Sequence, residues 1–448
     1  MLSPQDAADR AADLVARARA AGADAADAVF AADAALAIEV RMGALEDVGR
    51  SESAELGLRA FVGNRSASVA TSDLSPGGRD ALVERVVAMA RLAPEDPWAG
   101  LAPADRLFAG ATPALDLDDG GDPEPELLKT RAIAAEEAAR AVAGVTLSDG
   151  GSASASRATV AIATSTGFAH GYSVSGYGQS ATMLAGTGGA MERDSASHSA
   201  RHLADLDPPE AVGRLAGERT VARLGAGRVE SGAMPVVFDP RVAGGLVGHL
   251  LGAIAGAAIA RRTSFLLDAL GTAVFAPGVT IVDDPLRPRG LRSRPFDGEG
   301  LAVAPTRIVD GGVLTTWLLD SASARQLGMA PTGHAARSVG GGPGVSASNV
   351  ALLPGTISRT ELIGDVERGV YVVELMGQGV NAITGDYSRG AAGFLIEHGE
   401  IIRPVSEFTI AGNLRAMFAA LTPADDLAYR YGVNAPTLRI DGMTVAGG

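Results

Sequence analysis

The sequence predicts an α+β protein: an N-terminal α/β region with an antiparallel sheet and flanking helices, followed by a mostly β C-terminal domain. Three observations predict it. Apolar and polar residues alternate with period two through much of residues 29–71, the mark of half-buried strands. Segments with helical spacing recur through the first half, at residues 3–21, 79–92, 124–142 and 207–224. Beyond Gly225–Ser231, short strand-like runs separated by Gly and Pro dominate.

Ser3-Pro4-Gln5-Asp6 reads as a helix start, with a capping hydroxyl, Pro in the first turn and an acid beside it. The helix runs to Ala21 and stops at Gly22. Strand patterning follows at Val29-Phe30, Leu36–Val40, Glu52–Phe61 and Ser66–Thr71, with a hairpin turn at Val62–Arg65. Arg79–Leu92 returns to helical spacing and puts Leu82, Val86, Met89 and Ala90 on one face. Pro94–Pro125 is rich in Pro and carries Asp116, Asp118, Asp119 and Asp122. Those acids lack the Gly-and-Glu frame of an EF-hand and read as a solvated connector. Glu124–Val142 is a helix. Val145–Gly189 is a β-meander with strands at Ala158–Thr164, Gly167–Gly178 and Ser180–Gly186. Asp207–Leu224 is another helix. The expected domains are residues 1–110, an N-terminal α+β unit; 111–225, a central helix and β-meander; and 226–448, a β-rich C-terminal unit.

In the C-terminal unit, Ala233–Phe238 is an apolar strand and Asp239-Pro240 caps a helix containing the uncharged run Val242–Ala260. That run is mostly Gly and Ala with His249 in its middle. It reads as a buried or interface helix that allows close packing, and no membrane span is expected. Strands are expected at Thr280–Asp283, Leu301–Val309, Val313–Leu319 (after a Gly311-Gly312 turn) and Val350–Leu353. Gly340–Gly344 is a loop, Ser358–Ile363 a short helix, and Gly369–Met376 a strong β run.

Composition narrows the function. The chain has 448 residues, 47% apolar and 20% charged, which is globular. With 38 basic and 52 acidic residues its net charge is −14, a poor match to nucleic acid, so no nucleic-acid partner is expected. It has no cysteine, which excludes disulfides, thiol nucleophiles, iron–sulfur clusters and Cys-ligated zinc. The first residues lack the basic and apolar regions of a signal peptide.

Histidines are few. His198 and His202 are four apart but lack the Glu of a His-Glu-x-x-His motif, and they read as a surface pair. His249 stands alone on its apolar helix and reads as a packed core residue. No Gly-x-Ser-x-Gly elbow occurs; Tyr172–Gly176 lacks the leading Gly. Gly340–Gly344 has no Lys-Ser/Thr of a P-loop, and no strand–GxGxxG–helix unit is present. The chain holds no self-sufficient catalytic constellation. The stretch that stands out is Met376–Gly393, where Gly377, Gly379, Gly385, Gly390 and Gly393 are threaded through Asn381, Thr384, Asp386, Tyr387, Ser388 and Arg389. Such a stretch is either a recognition surface or a set of tight turns in a β-rich domain.

The same stretch, with Pro404–Leu414, Val237-Phe238-Asp239-Pro240 and Arg261–Leu266, resembles the signature of the TldD/PmbA family, most closely its PmbA (TldE) branch. The resemblance extends over most of the chain. It implies a C-terminal domain of the PmbA/TldD type and a cytoplasmic protein historically labelled a modulator of DNA gyrase. It also implies one half of a two-subunit zinc-dependent peptidase that degrades or processes unfolded peptides. In that family the TldD-type subunit carries a His-Glu-x-x-x-His helix and a Cys ligand for zinc. Here the matching positions are His249, Leu250 and Ile254, and there is no Cys. The resemblance therefore implies no metal and no catalytic residue in this chain, with zinc in a TldD-type partner. Gly379, Asn381, Thr384, Asp386, Tyr387 and Arg389 would line the chamber and hold an extended peptide by strand addition. Asp386 and Arg389 would orient it, or pair with each other, or bridge to the partner. The competing readings are a non-proteolytic peptide-binding or modulator protein acting as a homodimer, and an autonomous enzyme with a metal at His198 and His202.

Overall fold

The Ser3 hydroxyl accepts from the Asp6 N–H and starts helix α1 (Pro4–Ala20), whose Ala7, Ala11, Leu14 and Ala18 face is buried. The chain then enters a six-stranded antiparallel sheet of β1 (Ala25–Arg41), β2 (Ala44–Val62), β3 (Arg65–Thr71), β4 (Val145–Thr164), β5 (Ala169–Ala185) and β6 (Glu192–Ala200). Its order is β3-β2-β1-β4-β5-β6. The computed structural model describes residues 1–447.

Even-numbered β1 residues such as Ala28, Phe30, Ile38 and Val40 face a layer of helices. Helices α1 and α2 (Pro76–Leu92) cover the stretch holding Ala28, Phe30, Leu56 and Leu58. Helices α3 (Pro125–Arg140) and α4 (Pro209–Ala222) cover Ile38, Val40, Met183 and Ala196. Odd-numbered Asp27 and Val29 face the other way, onto the C-terminal half. There Phe168 meets Phe296 edge-on at 5.1 Å. Asp27, 2% exposed, pairs with Arg59 on β2 and with Arg337 of the C-terminal half.

Several expectations need correction. The separate strands expected at 29–30 and 36–40 are one strand, β1. The three meander strands are two, because β5 runs unbroken through the expected turn at Gly178–Ser180, paired on both sides with β4 and β6. Met89 is 46% exposed; Val83 and Val87 take its place on the buried face of α2. The acidic connector is not simply solvated. Asp118 accepts from Arg157 at 2.7 Å, the Asp119 carboxylate accepts from the Tyr177 hydroxyl at 2.7 Å, and Asp116 pairs with Arg289 at 2.6 Å. These bonds clamp the connector to the sheet and to the C-terminal half.

The C-terminal half is built on a second six-stranded sheet of order β16-β15-β14-β7-β19-β17. Its central strand β7 (Gly232–Phe238) leads into α5 (Pro240–Ala253) and α6 (Gly256–Ala260). The strands β8 (Ile281–Asp283), β9 (Thr306–Asp310), β10 (Val313–Leu314), β13 (Val350–Leu352) and β18 (Val433–Asn434) form a small side sheet. β11 (Ala335–Arg337) and β12 (Pro343–Val345) pair alone. Helices α7 (Ser321–Leu327), α8 (Arg359–Gly364) and α9 (Leu414–Ala419) are short. Strand β14 (Arg368–Val380) pairs in parallel with β7 and antiparallel with β15 (Asp386–Glu397). The last strands are β16 (Glu400–Asn413), β17 (Leu421–Pro423) and β19 (Leu438–Ala446). Thr409–Ala411 of β16 also pairs with Thr444–Ala446 of β19, which closes five strands into a ring around the main core.

Here too the sequence expectations shift. The uncharged run is two helices, broken where Ala255 takes an extended conformation (φ −65°, ψ 133°). Among the described residues no helix is long and apolar enough to cross a membrane. The strand expected at 301–309 is confined to Thr306–Asp310, and that at 313–319 to Val313–Leu314; the Thr315 hydroxyl then donates to backbone carbonyls of β9. Gly340–Gly344 runs into β12.

Candidate functional site

The Asp239 carboxylate accepts from Arg241 N–H at 2.9 Å and so caps α5 directly after β7. The helix turns Ala243, Leu246, Val247, Leu250 and Ala253 into the core and leaves His249 half-buried at the edge of that face. Leu250 and Ile254 are both fully buried. The His249 ring meets the Tyr387 ring edge-on, with centroids 5.8 Å apart. Burial, and then the nearby positive charge of Arg389, hold the imidazole below its ordinary pKa, so it is neutral at pH 7.

Opposite α5 stands the Gly-rich stretch. It is not the loop the sequence suggested but the end of a long hairpin. β14 reaches Val380 and β15 begins at Asp386, so only residues 381–385 turn. Gly379 pairs with Ser388 after a bulge that follows Met376. A Cβ on Gly379 would lie 2.1 Å from the Ser388 carbonyl oxygen, so no side chain fits there. Gly385 takes φ +81°, which a β-carbon resists. Within the tip, the Asn381 side-chain oxygen accepts from Ile383 N–H at 2.9 Å and from Thr384 N–H at 3.2 Å.

Asp386 accepts from the Thr384 hydroxyl at 2.7 Å and the Asn413 amide at 3.1 Å, which hold its carboxyl below the usual range. Arg389 lies on the opposite face of β15, as an odd spacing on a strand requires, and donates to the Met376 carbonyl at 3.1 Å. The two therefore do not pair with each other. Tyr387 shares the face of Arg389 and is 2% exposed, and its hydroxyl has no partner among the described residues. Burial pushes the phenol up to about 12.

Hairpin and helices enclose an open groove of about 810 Å3, lined by Gly252, Ala258, Thr263, Gly379, Asn381 and Tyr387 among others. The structure thus brings Gly379, Asn381, Asp386 and Tyr387 to one groove. It sets His249 behind Tyr387 and turns Thr384 and Asp386 toward Asn413. Sequence reasoning did not single out Asn413 or Thr263 as site residues. Asn413 was visible as the end of the Ala411-Gly412-Asn413 stretch; nothing in the spacing ties Thr263 to the hairpin.

The positions that the resemblance matches to metal ligands provide one donor, His249, beside two fully buried aliphatic residues. Among the described residues no group of three or more His, Asp or Glu side chains is disposed to hold a metal ion. The residues present do not fit a catalytic zinc. His198 and His202 do not form a surface pair. Their side chains are only 11% and 12% exposed; His198 Nδ1 accepts from Asp207 N–H at 2.9 Å and His202 Nε2 bonds to the Asp116 carbonyl at 3.0 Å.

Models of three successive domains of the PmbA/TldA metallopeptidases match this chain: domain 1 over residues 26–90, the central domain over 118–224 and the C-terminal domain over 231–447. The metalloprotease PmbA of Escherichia coli O157:H7 is 38% identical over 426 residues, covering 95% of this chain and 92% of that one. The chain belongs to the PmbA/TldD family, as a PmbA-type member. Its fold is that of solved relatives. A candidate modulator of DNA gyrase from Bacteroides thetaiotaomicron superposes with a TM-score of 0.91 at 27% identity, covering 98% of each chain. TldE from Thermococcus kodakarensis superposes with a TM-score of 0.87 at 20% identity, covering 97% of this chain and 99% of that one. The groove thus sits between the β14–β15 hairpin and the small-residue helices α5 and α6.

Proposed function

We propose that this chain is the non-metal-binding, TldE-type subunit of a two-component cytoplasmic peptidase that degrades or processes unfolded peptides. It supplies one wall of the substrate chamber, and a homologous TldD-type subunit supplies the zinc and the chemistry. The observation that carries this reading is the donor set on α5: His249 alone, with Leu250 and Ile254 sealed in the core. A zinc that activates water needs about three protein ligands and an open position. The groove beside the hairpin suits an extended peptide, with backbone groups and the side chains of Asn381 and Asp386 at its edge.

Reconstitution tests it. The purified chain is assayed for cleavage of an unfolded peptide alone, with a TldD-type subunit, and with that subunit lacking its ligand histidines. Cleavage is expected only in the intact pair. Cleavage by this chain alone sinks the reading. Peptide binding without cleavage in any mixture points instead to a homodimeric binding or modulator protein.

A further inference from the structure

Away from the hairpin, two pockets of about 380 and 210 Å3 adjoin in the cleft between the two halves of the molecule. They share Arg430, Tyr431 and Asn434, so the Tyr429–Tyr431 segment forms a ridge between them. Asn434, buried, fixes that ridge: its side-chain oxygen accepts from Arg430 and Tyr431 N–H at 2.8 Å each, and its amide donates to the Tyr431 carbonyl at 2.7 Å. Tyr429 and Tyr431 are each 46% exposed on a ridge that is otherwise pinned.

The charge in this cleft is unusual for a chain of net charge −14. Arg289 and Arg430 are matched, by Asp116 and Asp205 and by Asp207. Four others are not. Arg201 and Arg219 donate to backbone carbonyls, including those of Ser175 at 2.9 Å and Ser195 at 3.2 Å. Arg287 stacks over the Tyr429 ring at 3.5 Å and Arg359 over the Tyr371 ring at 5.0 Å. Among the described residues none of these four makes an ion pair. Burial, and then the neighbouring charge of Arg241, hold the Arg219 guanidinium below its ordinary value, a cost that a bound anion would relieve.

We propose that this cleft binds an acidic peptide segment, with carboxylates reaching Arg287 in one pocket and Arg359 in the other while the segment crosses the tyrosine ridge. Guanidinium groups braced on aromatic rings lose little freedom when they take a carboxylate. Exposed tyrosines supply rigid, amphipathic contact area to a peptide backbone. Asp205, Asp207, Asp239 and Asp426 line the same cleft and oppose a dense phosphate array, whereas spaced carboxylates can thread between them. The binding requires no metal and no second subunit.

The test is fluorescence anisotropy with the full chain and a labelled peptide of alternating Glu and Ala. Its Lys-containing counterpart and inorganic polyphosphate serve as competing probes. The Glu peptide should bind and weaken as salt rises. The double variant Arg287→Glu/Arg359→Glu should weaken it by about tenfold or more, because reversed charges at both anchors repel the ligand. Arg287→Gln/Arg359→Gln should weaken it less, and thermal unfolding of each variant verifies the fold. Arg85→Glu/Arg140→Glu, which makes the same change in net charge on exposed helix positions, should leave affinity unchanged. Absence of binding, equal loss in the helix control, equal affinity for the Lys peptide, or binding of polyphosphate alone would each overturn the proposal.

Discussion

The two six-stranded sheets of this molecule differ in where their pairing is broken. The N-terminal sheet is the more regular: its three register shifts, one between β1 and β2 and two between β4 and β5, all lie near the end where Val40 pairs with Gly151. β1 pairs with β4 from Asp27 to Val40 without a register shift, and one face is roofed by helices. The C-terminal sheet is irregular. β14 shifts register twice against β15, β15 twice against β16, and β19 once against β7. The groove and the orphaned Tyr387 hydroxyl sit on the irregular sheet, with α5 packed beside them. Bulges re-aim side chains and free backbone groups, and they concentrate near functional sites. The helix-roofed sheet is the platform, and the more broken one borders the hairpin groove.

The largest effect should come from the joint between them. Arg337, whose side chain is 2% exposed, meets Asp27 of the regular sheet. Arg337→Ala leaves a buried carboxylate short of one partner and should cost about 3–5 kcal/mol in chemical denaturation. A second, separate unfolding transition would further show the two sheets uncoupled; a change within error would mean the joint carries no coupling.

Next comes helix α5. Leu250→Ala should cost about 2–5 kcal/mol, the range for a fully buried leucine, because here the position fills the core. A neutral substitution would indicate a position kept for something other than packing.

A pH effect tests the loop beneath α7. Burial pushes the Glu299 carboxyl up to about 7, although the Ser321 N–H and hydroxyl both donate to it, at 2.8 and 2.6 Å. Its ordinary value is 4.5, so the folded state holds the proton more tightly than the unfolded chain. The stability from this group is fully present below about pH 4.5 and is lost as pH rises through about 7. Stability of Glu299→Gln should therefore gain on the wild type as pH rises across that window in urea melts. A constant difference between the two proteins contradicts the assignment.

The smallest stability effect belongs to the hairpin tip. Asp386 is exposed and its bonds to Thr384 and Asn413 are local. Asp386→Ala should cost no more than about 1 kcal/mol, yet lower cleavage by the reconstituted pair. Unchanged cleavage would reduce the tip to scaffold.

The contrast between the sheets also explains what the sequence could tell. Alternation marked β1 to β3, the Ser, Thr and Gly content marked β4 and β5, and β6 went unmarked, while Ser3 and Asp239 announced their helices through capping chemistry. A break inside β1 was overcalled because the alanines of residues 31–35 carry little alternation, and one inside β5 because Gly178-Gln179-Ser180 looks like a turn when its cross-strand partners are unseen. In the irregular half, the density of Gly around Asp386 marked the site but could not distinguish a loop from a bulged hairpin. That distinction rests on the pairing of Gly379 with Ser388 and on β16 alongside. The closure of β16 onto β19 and the arginine cleft both depend on residues far apart in the chain, which local patterning does not join. The burial of Leu250 and Ile254 beside a half-buried His249 was legible from the apolar run that surrounds them.

The central claim is that this chain carries no catalytic metal site of its own. Calorimetric titration of zinc into the purified, chelator-treated chain tests it most directly. The account predicts no stoichiometric tight site, and the same trace from His249→Ala. One tightly bound zinc per chain, abolished by His249→Ala and accompanied by peptide cleavage, would contradict it.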